Sequence, residues 1–333
     1  MSRKIAPQAR DRVIALIRKS KRVYMGSHIR PDGDALGSLL ALGLGLEQRG
    51  CQVAMLLTDP VPPSYSFLPG ITRVQSEPPE WEADLGLVVD CDGLSRLGKL
   101  AEVFSGLPHL VDIDHHATDS AFGDEHLIDS SAGATAEIVH ALLRDFDVEL
   151  NPDIGTCLYA AILTDTGRFC YANTTTNSLR IAAEAVEAGA EPHFIARKIF
   201  EERSIAATHL LGVALARLTE HLDGRVVSSL LTRDDFQETG AVPSDTEGII
   251  DHLRAIGGPR VALLFVSPDH DSVRVSLRSD GSVDVSQVAL GFGGGGHAMA
   301  AGCTVKGSAE EVRSRVVESL ESAFAVSHYE LAD

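Results

Sequence analysis

His28, Asp32 and Asp34 fall within one short run, His28-Ile29-Arg30-Pro31-Asp32-Gly33-Asp34. Asp90 closes an apolar run and Asp114-His115-His116 closes another. Asp165 stands in Thr164-Asp165-Thr166-Gly167-Arg168-Phe169. Carboxylate oxygens suit hard divalent cations such as Mg²⁺ and Mn²⁺, and imidazole shifts the preference toward Mn²⁺, Fe²⁺ or Zn²⁺. About six or seven such ligands around one point are enough for two cations. Two cations about 3.5–4 Å apart can activate water, bind a phosphoryl oxygen and stabilise a leaving oxygen. A further histidine can protonate that leaving group. A lone Asp at a strand end is usually a cap or a solvated turn, and Asp-Gly is ordinary turn chemistry. That bland account would serve for Asp90 alone. It is poor for Asp-His-His after one apolar run combined with His-x-x-x-Asp-x-Asp after another. Apart from His297, the remaining histidines lack such company and read as surface or core residues.

Positioning these side chains requires several elements to end at one place. Residues 22–27, 52–57, 85–89 and 110–113 are short apolar runs, as expected of strands buried on both faces of a parallel sheet. Ligands of such sheets bind beyond the carboxyl ends of the strands. Three runs delivering Asp or His at those ends therefore point to one shared site. Helical spacing is expected over 8–18, over 35–49 with a stop at Gly50, over 134–144, from Pro152 to 163, and over 178–188 and 192–202.

The second half changes character. Residues 225–231 and 260–266 read as strands, and Ser244-Asp245-Thr246-Glu247 resembles a capping box opening a helix over 248–256. Arg274, Ser276 and Arg278 alternate with Val273, Val275 and Leu277 at strand period. An amphipathic helix over 283–289 runs into Gly291-Phe292-Gly293-Gly294-Gly295-Gly296-His297, and a last helix covers 309–323. The glycine run satisfies GxGxxG, but a dinucleotide site needs a preceding strand, and here a helix precedes. A nicotinamide-dependent oxidoreductase is disfavoured accordingly. Backbone N–H groups of Gly293, Gly294, Gly295 and Gly296 could instead approach an anion closely.

The chain has 333 residues, with 29 Lys and Arg against 47 Asp and Glu, a formal charge of −18. The length suggests two domains. The acidity excludes a broad basic surface gripping long nucleic acid. Five scattered cysteines without a CxxC pair argue against a disulfide framework or thiolate zinc site and for a reducing cytoplasm. No signal peptide is evident, and the most apolar stretch, 36–46, is too short and glycine-broken to span a bilayer.

The ordered residues 28–38, Asp90, Asp114-His115-His116 and Asp165 resemble the motifs of the DHH phosphoesterase superfamily, and the segment ending in His297 resembles the DHHA1 domain that follows it. The resemblance covers nearly the whole chain and is strongest to the stand-alone nanoRNase and pAp phosphatase branch. It implies an α/β fold with an N-terminal DHH domain, a mainly parallel sheet flanked by helices, and a smaller α/β DHHA1 domain with a mixed sheet; helical spacing over 204–220 is expected as the connector, which sets the two domains at 1–203 and 221–333. The resemblance further implies two divalent ions, Mn²⁺, with His28 and Asp32 on one, Asp34, His115 and Asp165 on the other, and Asp90 on both. His116 would contact the scissile phosphate and protonate the leaving oxygen, with Asp114 orienting the histidines. Arg168, Phe169 and Asn173 are candidate substrate contacts by their nearness to Asp165, with Phe169 fitting a core position equally well, and the resemblance adds Ser276, Arg278, the four glycines 293–296 and His297.

The expected activity is hydrolysis of short RNA oligonucleotides to mononucleotides and removal of the 3′-phosphate from 3′-phosphoadenosine 5′-phosphate (pAp). No long nucleic acid and no membrane are expected as partners, and a homodimer is left open as the assembly state. A cyclic- or linear-dinucleotide phosphodiesterase is the alternative enzyme, an inorganic pyrophosphatase fits the GGGGH ending less well, and a non-catalytic nucleotide sensor is the alternative of another class.

Overall fold

The apolar runs of the first half form buried parallel strands in a computed structural model that describes residues 4–116, 122–268 and 271–330. The chain divides into two units, residues 1–202 and 203–333.

The first unit runs Pro7–Lys19 (α1), Arg22–Gly26 (β1), Gly33–Gln48 (α2), Gln52–Leu56 (β2), Leu85–Val89 (β3), Ala101–Ser105 (α3), Leu110–Asp114 (β4), Glu125–Ile128 (β5), Thr135–Asp145 (α4), Pro152–Asp165 (α5), Thr176–Glu187 (α6) and Pro192–Ala196 (α7). Among the described residues its five strands are all parallel, in the order β2-β1-β3-β4-β5. Alternating side chains of each strand serve two cores. Val23, Met25, Leu87 and Val89 join Leu36, Leu39, Leu40 and Leu158 on one face. Tyr24, Leu56 and Val88 join Leu97, Leu100 and Phe104 on the other. Both faces are covered, as parallel sheets require. The order reverses direction between β1 and β3, which creates a crevice at the carboxyl ends of these neighbours. His28–Asp34 follows β1 and Asp90 follows β3, so the sheet places them beside that crevice.

The glycines that interrupt α2 have a packing cause. A Cβ on Gly37 would lie 2.4 Å from the Cys157 carbonyl oxygen and 2.7 Å from the Ala161 Cβ. Only hydrogen fits there, so α2 and α5 approach backbone to backbone. This seats Asp34, at the start of α2, near Asp165, at the end of α5.

The second unit runs Ile205–Ala216 (α8), Thr219–His221 (β6), Val226–Thr232 (β7), Arg233–Thr239 (α9), Ile249–Arg254 (α10), Val261–Ser267 (β8), Ser272–Ser279 (β9), Val285–Gly291 (α11), Gly295–His297 (β10), Ala300–Lys306 (β11) and Ala309–Glu330 (α12). Its six-stranded sheet has the order β10-β11-β9-β8-β7-β6 and is mixed: β7 and β8 are parallel, the other pairs antiparallel. Val273, Val275 and Leu277 pack with Val312, Val316 and Leu320 on one face. Leu264 and Val266 pack with Leu210, Ala214 and Leu253 on the other.

Three local expectations change. The helix expected through residue 220 stops at Ala216, because Thr219–His221 pairs with β7 across a turn in which Leu222, Asp223 and Gly224 are all left-handed. Asp223-Gly224 is a hairpin signal. Leu210 and Ala214 of α8 pack into the second unit's own core. The expected capping box over 244–247 does not open α10. Asp245 accepts a hydrogen bond from the Val242 N–H at 2.8 Å across the short 3₁₀ turn Pro243–Thr246, and left-handed Gly248 precedes α10. The glycine run, expected as a loop, contains an edge strand pairing Gly295–His297 with Ala300–Gly302. A Cβ on Gly294 would meet the Gly302 carbonyl oxygen at 2.2 Å, so that glycine is required by the hairpin itself.

The close approach of α2 and α5 gives a test. Gly37→Val should destabilise the first unit by about 3 kcal/mol, the upper part of the range for overpacking. That corresponds to a fall in Tm of roughly 6–12 °C, and thermal unfolding followed by circular dichroism would show no shift if the approach is looser than described.

Candidate metal centre

The site is built from loop ends and helix starts of the first unit. Asp32 is the N-cap of α2: its Oδ1 accepts hydrogen bonds from the N–H groups of Asp34 and Ala35, both at 3.1 Å. The helix start thereby fixes Asp34, which is only 1% exposed. Asp34 Oδ1 accepts from the Ser38 hydroxyl at 2.9 Å and the Ala136 N–H at 3.1 Å, and Oδ2 accepts from the Thr135 N–H at 2.6 Å. Two free N–H groups at the start of α4 thus face one carboxylate, as the helix dipole favours. Asp90 adopts φ +52, a left-handed conformation uncommon outside glycine that Asp tolerates better than most residues. Its Oδ1 accepts from the Thr135 hydroxyl at 3.0 Å.

The histidines converge on these carboxylates. His28 Nδ1 donates to the Ile29 carbonyl at 2.8 Å, which leaves Nε2 with its lone pair. That Nε2 is 3.6 Å from Asp90 Oδ2 and 4.0 Å from Asp32 Oδ1. His115 Nδ1 faces the Ala132 carbonyl at 3.3 Å. Its Nε2 is 3.7 Å from Asp90 Oδ1, 3.6 Å from Asp165 Oδ2 and 4.0 Å from Asp34 Oδ2. These separations are too long for hydrogen bonds. They suit nitrogen and oxygen ligands that each lie about 2.0–2.2 Å from a common cation.

Among the described residues the first unit's donor atoms group as His28 with Asp32 and Asp90, as Asp34 with Asp90 and His115, and as Asp90 with Asp114 and His116. Asp90 belongs to all three of these groups. His116 is held differently: its Nδ1 donates to Asp114 Oδ1 at 2.7 Å, and the same oxygen accepts the His115 N–H at 2.8 Å.

Protonation equilibria show a site short of positive charge. Burial pushes the Asp34 carboxyl well above its usual range, and the charges of Asp90, Asp165 and Asp32 push it further. Burial also raises Asp165; His115 opposes, Asp90 and Asp32 add, and the net value is about 7. For Asp90 burial alone would act upward, but the neighbouring imidazoles of His28, His116 and His115 hold it below the usual carboxylate range. For His116 burial opposes the charged form, yet the hydrogen bond and charge of Asp114, with Asp90, raise it to about 10. Carboxylates that resist ionising together are what divalent cations would stabilise. The donor set fits two such ions on that ground.

The expected substrate contacts are placed less uniformly. Asn173 Nδ2 donates to the carbonyls of Gly133 at 2.9 Å and Asp165 at 3.0 Å and reaches Asp165 Oδ2 at 3.3 Å, so it braces the centre. Gly167, Arg168 and Phe169 are three consecutive left-handed residues. The Arg168 guanidinium rests 4.4 Å from the centroid of the Phe200 ring. Phe169 packs against the core, its ring edge-on to Tyr159 at 6.3 Å. In the second unit Ser276 and Arg278 lie on β9 and His297 on β10. Arg278 Nη1 donates to the Leu277 carbonyl at 3.1 Å, and its Nε lies 3.9 Å from Asp251.

Thr135, which touches both Asp34 and Asp90, carries no signal in its own neighbourhood of the sequence. Its partners lie 101 and 45 positions away. Ser38, by contrast, lies one helical turn after Asp34, a spacing visible in the sequence itself.

With this geometry in place, the comparisons with known proteins converge. Residues 22–162 match the DHH family, N-terminal domain, and residues 223–325 match the DHHA1 domain. The chain belongs to the DHH family and is a phosphoesterase of that family. It is 33% identical over 308 residues to the bifunctional oligoribonuclease and PAP phosphatase NrnA of Thermus thermophilus, covering 92% of this chain and 91% of that protein. The NrnA of Bacillus subtilis is 28% identical over 286 residues, covering 85% and 89%. Among solved structures, an exopolyphosphatase-related protein of Bacteroides fragilis superposes with a TM-score of 0.87 at 24% identity over the full length of both chains, a likeness of fold. No helix among the described residues is long and apolar enough to cross a membrane.

The raised carboxylates predict a pH signature in metal-free protein. The folded Asp165 binds its proton up to about pH 7, whereas an unfolded aspartate releases it near pH 3.9. The stability contributed by this group should therefore fall as pH rises through that window. In a chelator, Asp165→Asn should raise Tm at pH 8 and the two proteins should converge near pH 4. Equal Tm values at pH 8 would count against the charge account.

Proposed function

We propose that this phosphoesterase holds two divalent cations, Mn²⁺, and hydrolyses short oligoribonucleotides to mononucleotides, and that it also removes the 3′-phosphate from pAp. The observation that carries the reading is the Asp90 carboxylate, whose two oxygens face His28 on one side and His115 on the other at 3.6 and 3.7 Å. His28 and Asp32 would hold one ion, and Asp34, His115 and Asp165 the other, with Asp90 on both. The substrate classes follow from the similarity to the NrnA proteins over most of the chain.

When bound, the cations supply Lewis acidity toward phosphate oxygens and lower the pKa of water at the site. The residues of the chain do the rest. Asp34 is locked by Ser38, Thr135 and Ala136, so it needs no reorganisation when substrate arrives. His116 donates Nδ1–H to Asp114, which with Asp90 raises its pKa to about 10 in the metal-free site, and it would therefore carry a second proton on Nε2. That proton would go to the leaving oxygen as the phosphorus–oxygen bond breaks. Asp114 keeps the imidazole oriented and stabilises its charge.

Arginine suits planar phosphate recognition, and Arg168 and Arg278 would each bind a phosphate. Phe169 and Asn173 would flank the nucleotide near Asp165, and Ser276, Gly293, Gly294, Gly295, Gly296 and His297 would contact its distal end. The acidic surface repels long polyanions, which restricts substrates to short fragments. The five free cysteines fit a cytoplasmic location.

An Mn²⁺-supported assay on RNAs of increasing length, with pAp and cyclic dinucleotides alongside, tests the reading. The shortest RNAs and pAp should be turned over, with rates falling as length grows. Preference for cyclic dinucleotides would replace it with the alternative phosphodiesterase, and nucleotide binding without turnover would make the chain a sensor. Removal of the proton donor by His116→Ala should lower kcat by about 10²–10⁴-fold, the range for general acid catalysis. An unchanged kcat would remove His116 from the chemistry.

A further inference from the structure

Glu137 is a carboxylate buried to 7% exposure, and it belongs to none of the groups capable of holding a cation. It lies on the first turn of α4, two residues after Thr135. Its Oε1 accepts hydrogen bonds from the Gly133 N–H at 3.0 Å, the Thr175 hydroxyl at 2.9 Å and the Ser178 hydroxyl at 2.5 Å. Its Oε2 accepts from Asn177 Nδ2 at 2.7 Å. Four donors from two separate segments thus meet one side chain. A buried carboxylate with this many donors is well satisfied and rigid.

Both segments lead to the cation donors. The 133–136 turn carries Thr135 and Ala136, whose N–H groups hold Asp34 and whose Thr135 hydroxyl holds Asp90. The 173–178 segment carries Asn173, which grips the Asp165 carbonyl and carboxylate and also the Gly133 carbonyl. Thr175 and Ser178, both bound to Glu137, form the capping box of α6 that fixes this segment. Asp34, Asp90 and Asp165 come from the starts or ends of three different elements, and sequence separation gives them no common anchor.

We infer that Glu137 is a positioning residue for the metal centre, acting through Thr135 on Asp34 and Asp90 and through Asn173 on Asp165. It ties the two loops that set the spacing of these three carboxylates. The inference rests on the proposed two-cation reading. Positioning hydrogen bonds of this kind are commonly worth about 10–100-fold in metal affinity.

The test is Mn²⁺ affinity, measured on metal-free full-length protein from the paramagnetic resonance signal of unbound Mn²⁺, with folding checked by circular dichroism. Glu137→Ala removes all four acceptor contacts, and Glu137→Asp keeps the charge but withdraws it by one methylene. Both should weaken Mn²⁺ binding about tenfold or more. Glu137→Gln retains one oxygen for Gly133, Thr175 and Ser178, and reorienting the Asn177 amide satisfies its NH₂, so it should stay within about threefold of wild type. If the alanine variant does not fold, the aspartate variant decides. A folded alanine or aspartate variant that binds Mn²⁺ as tightly as wild type overturns the inference while leaving the metal centre standing. A wild-type chain that binds no Mn²⁺ overturns the metal-centre reading, and the inference with it.

Discussion

The mutual repulsion of Asp34, Asp90 and Asp165 is the constraint on which the first unit turns. Carboxylates in a medium that screens charge far less than water cannot all ionise without a counter-charge. The resident imidazoles answer only part of this, since Asp34 and Asp165 remain raised while Asp90 alone is lowered. The fold nevertheless invests many contacts in holding these groups where they repel. Such an arrangement is costly for stability and makes sense as preorganisation for cations.

That investment runs through three levels. The parallel sheet brings the carboxyl ends of β1, β3 and β4 together at the reversal of strand order. The glycine contact between α2 and α5 then sets the height of Asp34 against Asp165. Hydrogen bonds from the start of α4 and from Asn173 complete the arrangement. His116 lies beside this acidic group, its Nδ1 3.8 Å from Asp90 Oδ1, and donates to Asp114, so the same cluster contains both a store of negative charge and a retained proton. Opposite protonation tendencies side by side are the usual mark of an acid–base site.

The sequence exposed the chemistry better than the architecture. His28, Asp32, Asp34, Asp90 and Asp114-His115-His116 each lie at the end of an apolar run, where both residue type and position can be read locally. Alternating side chains likewise revealed β9. What escaped depended on partners far along the chain. The strand Ala300–Lys306 reads as small residues and is made a strand by pairing with β9. Thr219–His221 is an edge strand only because β7 lies beside it. The glycines before His297 suggested an anion loop, yet Gly294 is needed for the hairpin with Gly302. Glu137 and Thr135 fall within the helical spacing over 134–144, where nothing local marks them. Their importance comes from what the fold sets opposite them.

The charge of −18 takes on a local meaning in this account. Asp32, Asp34, Asp90, Asp114 and Asp165 concentrate part of it at one crevice, where the two proposed cations would offset four of these five negative charges and meet a phosphate directly. The most direct measurement of this claim is the Mn²⁺ stoichiometry of the metal-stripped chain, by equilibrium dialysis with elemental analysis, beside Asp90→Asn. Two ions per wild-type chain, with both lost or severely weakened in Asp90→Asn, are predicted. A single ion, or two that persist without the Asp90 carboxylate, would contradict it.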